Sequence, residues 1–338
     1  MRLLLLIGLA LLSVFPAWSR QRALLVGVGE YPAETGWNAI SSRNDLTLLE
    51  KAAPAFSFDR LSDADATHDG IIGAFDKFTA ETGPGDTVWV HFSCHGQQML
   101  AVDNDESDLL DEALIPFDAP MYRSSAYTGN HHLTDNELDT LITRLRQYAG
   151  SSGLLVVTID ACFSDSMDKG TKRDSSVIYR GGADIFGCET VSADSLQRIL
   201  SRRMALDKGD VSILPDGADV VFLSACKSYQ RNREVSIQGT GYGSLSFALA
   251  DAFRVSGFAD LTAWLDRVYV RMGEIAYTQT PQVRSTIGYA YKPSAIVFDE
   301  GVSSGLVRSA SDGGFWFYVI ACVILVVVVV LWITRIRK

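Results

Sequence analysis

The chain has 338 residues, of which 47% are hydrophobic, and a formal net charge of -10. This length and composition fit one large or two small packed domains and exclude extended disorder over most of the chain. The acidic balance, without any dense Lys/Arg cluster, argues against a nucleic-acid partner and suits a positively charged substrate.

Arg2, an apolar run over 3–14 and Ala17-Trp18-Ser19 predict a secretory signal over 1–19, with an uncleaved N-terminal anchor as the alternative. Residues 23–28 are an apolar run ending at Gly27-Val28-Gly29, a buried strand followed by a turn. That GxG is too short for a dinucleotide fingerprint. Over 67–82, Ile71, Ile72, Phe75 and Phe78 mark a helical face, and Gly83-Pro84-Gly85-Asp86 breaks the chain before a strand at 87–93. Thr134-x-x-Glu137 reads as a capping box leading a helix with Leu138, Leu141, Ile142 and Leu145 at helical spacing. Apolar strands follow at 154–159 and 220–224, helices at 244–253 and 261–272, and a last strand at 295–298. Between them, 164–217 reads as a long, partly exposed connection carrying Lys169, Lys172, Arg173, Arg180, Arg202, Arg203 and Lys208. Helices alternating with strands apolar on both faces predict an α/β fold, a mostly parallel sheet covered by helices.

A Ser/Gly linker at 301–314 precedes the uncharged segment 315–333. At ~1.5 Å per residue that segment spans about 30 Å, enough for one transmembrane helix. Trp316, Tyr318 and Trp332 lie near its ends, and the basic tail 334–338 predicts a cytoplasmic C-terminus. The domain over 20–300 is then expected outside the cytoplasm, in a periplasmic, lumenal or extracellular space. A terminal basic tail disfavours a glycolipid anchor. There are five cysteines. Cys322 falls in the predicted span, and Cys94, Cys162, Cys188 and Cys226 form neither a dense disulfide framework nor a CxxC zinc pair.

Two strands end in chemistry-bearing residues: Val90-His91-Phe92-Ser93-Cys94-His95-Gly96 and Val157-Thr158-Ile159-Asp160-Ala161-Cys162. Ligands of open α/β sheets bind beyond the carboxyl ends of the strands, so His95 and Cys162 are placed to meet there. A thiol needs a base to attack a carbonyl, and an imidazole supplies one. Taken singly, each residue reads as well as a core histidine or a buried structural cysteine. Together they read as nucleophile and base, with backbone N–H groups at Gly96 and Cys162 available to an oxyanion. The chemistry requires no cofactor.

Ser93-Cys94-His95-Gly96 and Asp160-Ala161-Cys162-Phe163-Ser164 resemble the His-Gly and Asp-x-Cys-x-Ser motifs of caspase-like proteases, metacaspases most of all. Ser42-Arg43-Asn44-Asp45, the acidic stretch 103–118, Leu133-Thr134-Asp135, Ser224-Ala225-Cys226 and Gly241-Tyr242-Gly243-Ser244-Leu245 follow in the family's order. The resemblance implies a three-layer α/β/α sandwich, with a large-subunit-like part at 20–165, a linker at 166–217 and a small-subunit-like part at 218–300. It also implies protein or peptide substrates with Arg or Lys at the cut, received by Ser42, Asp45, Ser93 and Asp160. Physically, carboxylates beside the thiol attract a cation, although Asp45 reads equally well as a helix N-cap. The resemblance further implies calcium, with Asp103, Asp105, Asp108, Asp111, Glu112 and Asp168 as candidate ligands and Glu106 beside them. An ordinary solvated acidic loop is the alternative, and the spacing is not that of an EF-hand.

The sequence departs from the family at Cys94, Phe163 and Asp165, where Gly, His and Gly are usual. Cys94 is a second thiol beside the site, a partner for Cys162 on oxidation. The basic linker reads either as a region of self-cleavage or as a solvated loop. A legumain-like transamidase and a binding module with a degraded site are the rival readings, and no Gly-x-Ser-x-Gly elbow supports an α/β-hydrolase.

Overall fold

Seven residues of nearly unbroken apolar character, Gln21–Gly27, form strand β1, whose side chains alternate between two buried faces. In the computed structural model it pairs in parallel with β2 (Ser57–Ser62) and β3 (Thr87–Ser93). Strand β3 pairs in parallel with β7 (Leu154–Asp160), and β7 with β8 (Asp219–Ser224). Antiparallel β11 (Gln282–Ser285) closes a six-stranded sheet in the order β11-β8-β7-β3-β1-β2. The described residues are 19–100, 110–163, 177–182, 184–197, 217–227 and 230–287, all within one compact unit, Met1–Pro293.

Helices cover both faces, as the apolar strands require. Ala23, Leu25, Trp89, Val156 and Leu223 point to one side, against α1 (Ser42–Ala52), α4 (Ser244–Phe253) and α5 (Leu261–Ile275). Leu24, Val26, Val88, Val90, Leu155 and Val157 point to the other, against α2 (His68–Ala80) and α3 (Asp135–Ala149). The period of two along each strand thus feeds two cores, giving the expected three layers.

Helix α2 is capped by Thr67, whose Oγ1 accepts from Gly70 N. At α3 the capping box is half made. Thr134 Oγ1 accepts from Glu137 N at 3.3 Å, but the Glu137 carboxylate turns to His68 Nε2 at 3.0 Å instead of back to the cap.

Two small sheets lacked a sequence forecast. Strands β4 (Gly96–Leu100), β5 (Leu110–Leu114) and β6 (Leu133–Thr134) make an antiparallel sheet just beyond β3, and β9 (Glu234–Ile237) with β10 (Thr240–Gly243) makes a hairpin before α4. Among the described residues the connection is partly exposed as read, at Glu189, Thr190 and Ser192 for example, but it also enters the core, with Arg180 fully buried and Ile185 and Phe186 nearly so. The forecast signal, last strand, linker, membrane span and basic tail lie outside the described residues. Among the described residues no helix is long and apolar enough to cross a membrane.

Candidate active site

The parallel register sets Ser93 beside Asp160 at the carboxyl ends of β3 and β7, so the segments that follow them leave the sheet together. His95 and Cys162 lie on those segments. Gly96 packs directly on the backbone of Cys162; a Cβ there would fall 2.7 Å from Cys162 O. Only glycine permits this approach, which places the two N–H groups side by side. Gly96 N donates to Arg180 O at 3.1 Å and Cys162 N donates to the same oxygen at 2.9 Å. The two donors expected at an oxyanion therefore converge on one carbonyl oxygen, that of the chain's own Arg180.

The imidazole of His95 is held on three sides. It stacks on Trp37, with ring centroids 4.9 Å apart, and lies 5.3 Å from the Tyr31 ring. Its Nε2 meets Asn38 O at 2.8 Å. A carbonyl can only accept, so Nε2 carries the proton and Nδ1 is the basic nitrogen. That Nδ1 is buried and has no hydrogen-bond partner among the described residues. Burial pushes the imidazole down to about 4 against the bond to Asn38, so it is neutral, and able to accept a proton, at neutral pH.

Cys162 Sγ donates to Gln230 O at 3.2 Å, and Cys226 Sγ donates to the same carbonyl at 3.4 Å. The thiol beside the candidate nucleophile is thus Cys226, which the sequence offered only within the Ser224-Ala225-Cys226 segment and not as a neighbour of Cys162. Its hydrogen bond with Cys162, together with burial, pushes the Cys226 thiol up. Cys94, the expected neighbour, sits instead in the apolar layer with Phe92 and Leu114, where burial pushes it up to about 12.

The Arg180 side chain fills a closed pocket of three carboxylates. Nη2 donates to Asp45 Oδ2 at 2.7 Å and to Glu234 Oε1 at 2.8 Å. Nη1 donates to Ser93 Oγ at 2.8 Å and stands 3.7 Å from Asp160 Oδ2. Arg180, Asp45 and Asp160 have fully buried side chains. Each carboxylate is also held by its own surroundings. Asp160 accepts from Asn232 Nδ2, Ser246 N and Ser246 Oγ, while Asp45 accepts from Gly243 N and Ser93 Oγ. Glu234 accepts from Ser41 N and Oγ. Burial alone would raise Asp160, but Arg180 and these hydrogen bonds outweigh it and hold the carboxyl below its ordinary range. At Asp45 burial prevails over Arg180, and the value rises to about 6. The guanidinium is held charged by its three partners despite burial. A Cβ at Gly243 would overlap Asp160 Oδ2 and Arg180 Nη1, so glycine forms one wall of the pocket.

Three of the four residues expected to receive a basic side chain, Asp45, Ser93 and Asp160, contact the guanidinium. Ser42 does not line the pocket; its Oγ donates to Val28 O and ties the start of α1 to β1. Asp45 is no N-cap: it lies inside α1, and its carboxylate turns away from the helix end into the pocket. Glu234 went unnoticed because a lone carboxylate at the start of a hairpin has no local signature.

Of the calcium candidates, Asp103, Asp105, Asp108 and Asp168 lie outside the described residues. Asp111 and Glu112 are consecutive in β5, so their side chains leave opposite faces of the strand. Among the described residues no group of three or more His, Cys, Asp or Glu is placed to hold a metal.

A Cys and a His flanking a shared pair of backbone donors, beside a carboxylate pocket on a helix-covered parallel sheet, define a class of protein. The family model for the caspase domain matches residues 20–289, and the chain belongs to that family. The curated relatives it resembles are metacaspases. It is 23% identical over 274 residues to metacaspase-1A of Aspergillus oryzae, covering 75% of this chain and 60% of that protein. It is 24% identical over 236 residues to metacaspase-1B of Neurospora crassa, covering 64% and 53%. The chain thus spans little more than half the length of these relatives. Among solved structures, a protein of Geobacter sulfurreducens aligns with a TM-score of 0.50 at 20% identity, over 79% of this chain and 93% of its own, a likeness of fold.

Proposed function

We propose that the chain is a cysteine endopeptidase that cuts peptide bonds after Arg, and after Lys, with Cys162 as nucleophile and His95 as base. One observation carries this reading: a guanidinium lies among Asp45, Asp160 and Glu234 while the carbonyl of the same residue accepts from Gly96 N and Cys162 N. In the proposed reaction Sγ attacks the substrate carbonyl and His95 Nδ1 takes the thiol proton. The two N–H groups bind the developing oxyanion, and Nδ1 returns the proton to the leaving amine. Three carboxylates select a cation over the neutral amide of Asn, so an asparagine-specific transamidase fits this pocket less well. The acidic residues of 103–112 support a calcium response, and the apolar segment 315–333 supports a membrane tether with the domain outside the cytoplasm.

The test uses the purified full chain, with and without added calcium, and reporter peptides ending in Arg, Lys, Asn or Asp. Release is expected from Arg and Lys and absent for Cys162→Ala. Wild-type rates from Cys162→Ala would sink the nucleophile, and faster release from Asn would replace the specificity.

A further inference from the structure

We propose that Cys226 is the resolving partner of Cys162: a peroxide that reaches the nucleophile joins the two thiols in a disulfide, which stops the enzyme and which a thiol reductant reverses. The pairing rests on the geometry of the thiols, and its effect on activity rests on the peptidase reading above.

The parallel register brings the two sulfurs together. Strand β8 runs beside β7 with Ile159 opposite Ser224, and Ala225 N donates to Ile159 O at 3.1 Å, which carries the pairing past the end of β8. Cys162 and Cys226 leave the sheet side by side from there. Both thiols then donate to one oxygen, Gln230 O, at 3.2 Å and 3.4 Å. A carbonyl oxygen has two lone pairs and can hold both at once. The thiols are also within hydrogen-bond reach of each other. The loop that presents this carbonyl is fixed. Gln230 N donates to Lys227 O at 2.9 Å, while Gln230 Oε1 accepts from Lys227 N at 3.1 Å and from Thr280 N at 2.9 Å. The two sulfurs are thus held at one point by the backbone, and a disulfide of about 2.05 Å asks only that they turn from the shared oxygen toward each other.

The other described cysteines lie elsewhere. Cys94 belongs to the apolar layer with Phe92 and Leu114, and Cys188 packs with Leu110 and Ile185. Cys162 and Cys226 are both buried, which favours an oxidant the size of a peroxide over a glutathione disulfide.

The order of events follows from the neighbours. The Cys162 thiol gives its proton to His95 Nδ1, and the thiolate attacks one peroxide oxygen. The O–O bond breaks, leaving a sulfenic acid on Cys162 and a hydroxide that takes the proton back as water. Burial and the contact with Cys162 keep the Cys226 thiol protonated until then, so Cys162 is the first to react. The Cys226 sulfur then attacks Cys162 Sγ, the S–O bond breaks, and the hydroxyl leaves as a second water with the Cys226 proton. Two thiols are oxidised by two electrons and one peroxide is reduced to two waters. A nucleophile without this partner passes from the sulfenic to the sulfinic acid, which thiol reductants do not reverse.

The test treats the reduced full chain with hydrogen peroxide, maps its cysteines by mass spectrometry without reduction, and follows its rate on an Arg peptide before oxidation, after it and after dithiothreitol. Wild type is expected to yield a peptide pair joined through Cys162 and Cys226, to lose its rate and to regain it with the reductant. Cys94→Ala behaves as wild type. Cys226→Ser, which keeps a donor for Gln230 O, and Cys226→Ala, if the serine impairs folding, lose their rate under the same treatment and do not regain it. Wild-type thiols that stay reduced or go straight to the sulfinic acid, a bond from Cys162 to another cysteine, a rate that survives the bond, or equal recovery in Cys226→Ser would each overturn the proposal. In those cases cleavage of the Arg peptide by the reduced chain still upholds the peptidase reading. The joined pair from a reduced chain that never cuts the Arg peptide overturns that reading and leaves the pairing intact.

Discussion

Replacing Asp45 by Asn removes one charge from the carboxylate pocket while keeping its shape. In the filled site Asp45 Oδ2 accepts from Arg180 Nη2 at 2.7 Å, and Oδ1 accepts from Gly243 N. The amide oxygen of Asn retains the bond to Gly243, so the loss falls on what Oδ2 accepts, the guanidinium and Ser93 Oγ. A buried charge-assisted hydrogen bond contributes roughly 1.5–3 kcal/mol, which corresponds to about 10- to 150-fold in affinity. Absolute rates understate this loss while Arg180 fills the pocket, because the same substitution loosens Arg180 and the competing substrate alike. The ratio of kcat/KM for an Arg peptide to that for its neutral isostere citrulline is free of the competition, since both substrates meet the same enzyme. Asp45→Asn is expected to lower that ratio by about 10- to 150-fold, read with paired fluorogenic peptides. A ratio unchanged within about twofold, less than 0.5 kcal/mol, would mean that the pocket does not read charge through Asp45.

Two further outcomes follow from the structure. Burial lowers His91 to about 3, His95 to about 4 and His132 to about 3, from 6.5. These imidazoles stay neutral in the fold while the unfolded chain protonates them below 6.5, so the stability they allow is complete above that value and is lost as pH falls toward their folded values. Asp45 works the other way, binding its proton at about 6 in the fold and at 3.8 when unfolded. Near pH 5 unfolding therefore takes up a net of about two protons, and the unfolding free energy of the Cys162→Ala chain, read from urea titrations, should fall as pH is lowered by about 3 kcal/mol per unit. Equal stability at pH 7 and pH 5 would contradict the buried, neutral histidines. Gly243→Ala places a methyl group against Asp160, which three hydrogen bonds hold in place, and against the guanidinium. Breaking one of those bonds costs about 1.5–3 kcal/mol, so both Tm and activity on Arg peptides are expected to fall. Unchanged values for both would show that the wall is not rigid.

The sequence made the scaffold of the site readable because its signals are local. Strands β1, β3 and β7 are apolar runs, and the residues that follow β3 and β7 stand out against them. His95, Cys162 and Asp160 could be picked out for that reason. The small sheets escaped because Gly96–Leu100 shows no clear alternation: Gln97 and Gln98 are both buried, and Gln97 is satisfied by Met121 O, Asp184 O and His132. Strand β2 lies at the sheet edge, partly exposed, with Asp59 and Arg60 within it. Arg180 was misplaced for a different reason. In a polar, glycine-bearing connection an arginine reads as solvated, and that rule gives way only where carboxylates from distant segments gather to receive it. Asp45 and Glu234 are 135 and 54 residues away from Arg180, and no window of sequence holds all three.

Arg180 follows Cys162 by about eighteen residues, so the guanidinium is tethered to the pocket it fills. Ligands linked in this way act at an effective concentration of order millimolar, however dilute the protein. A free peptide must exceed that local supply to enter, and diluting the enzyme gives it no advantage. With the segment out of the pocket, the local supply is gone. The three carboxylates would then make the difference between a site governed by its own tether and one governed by the substrates around it.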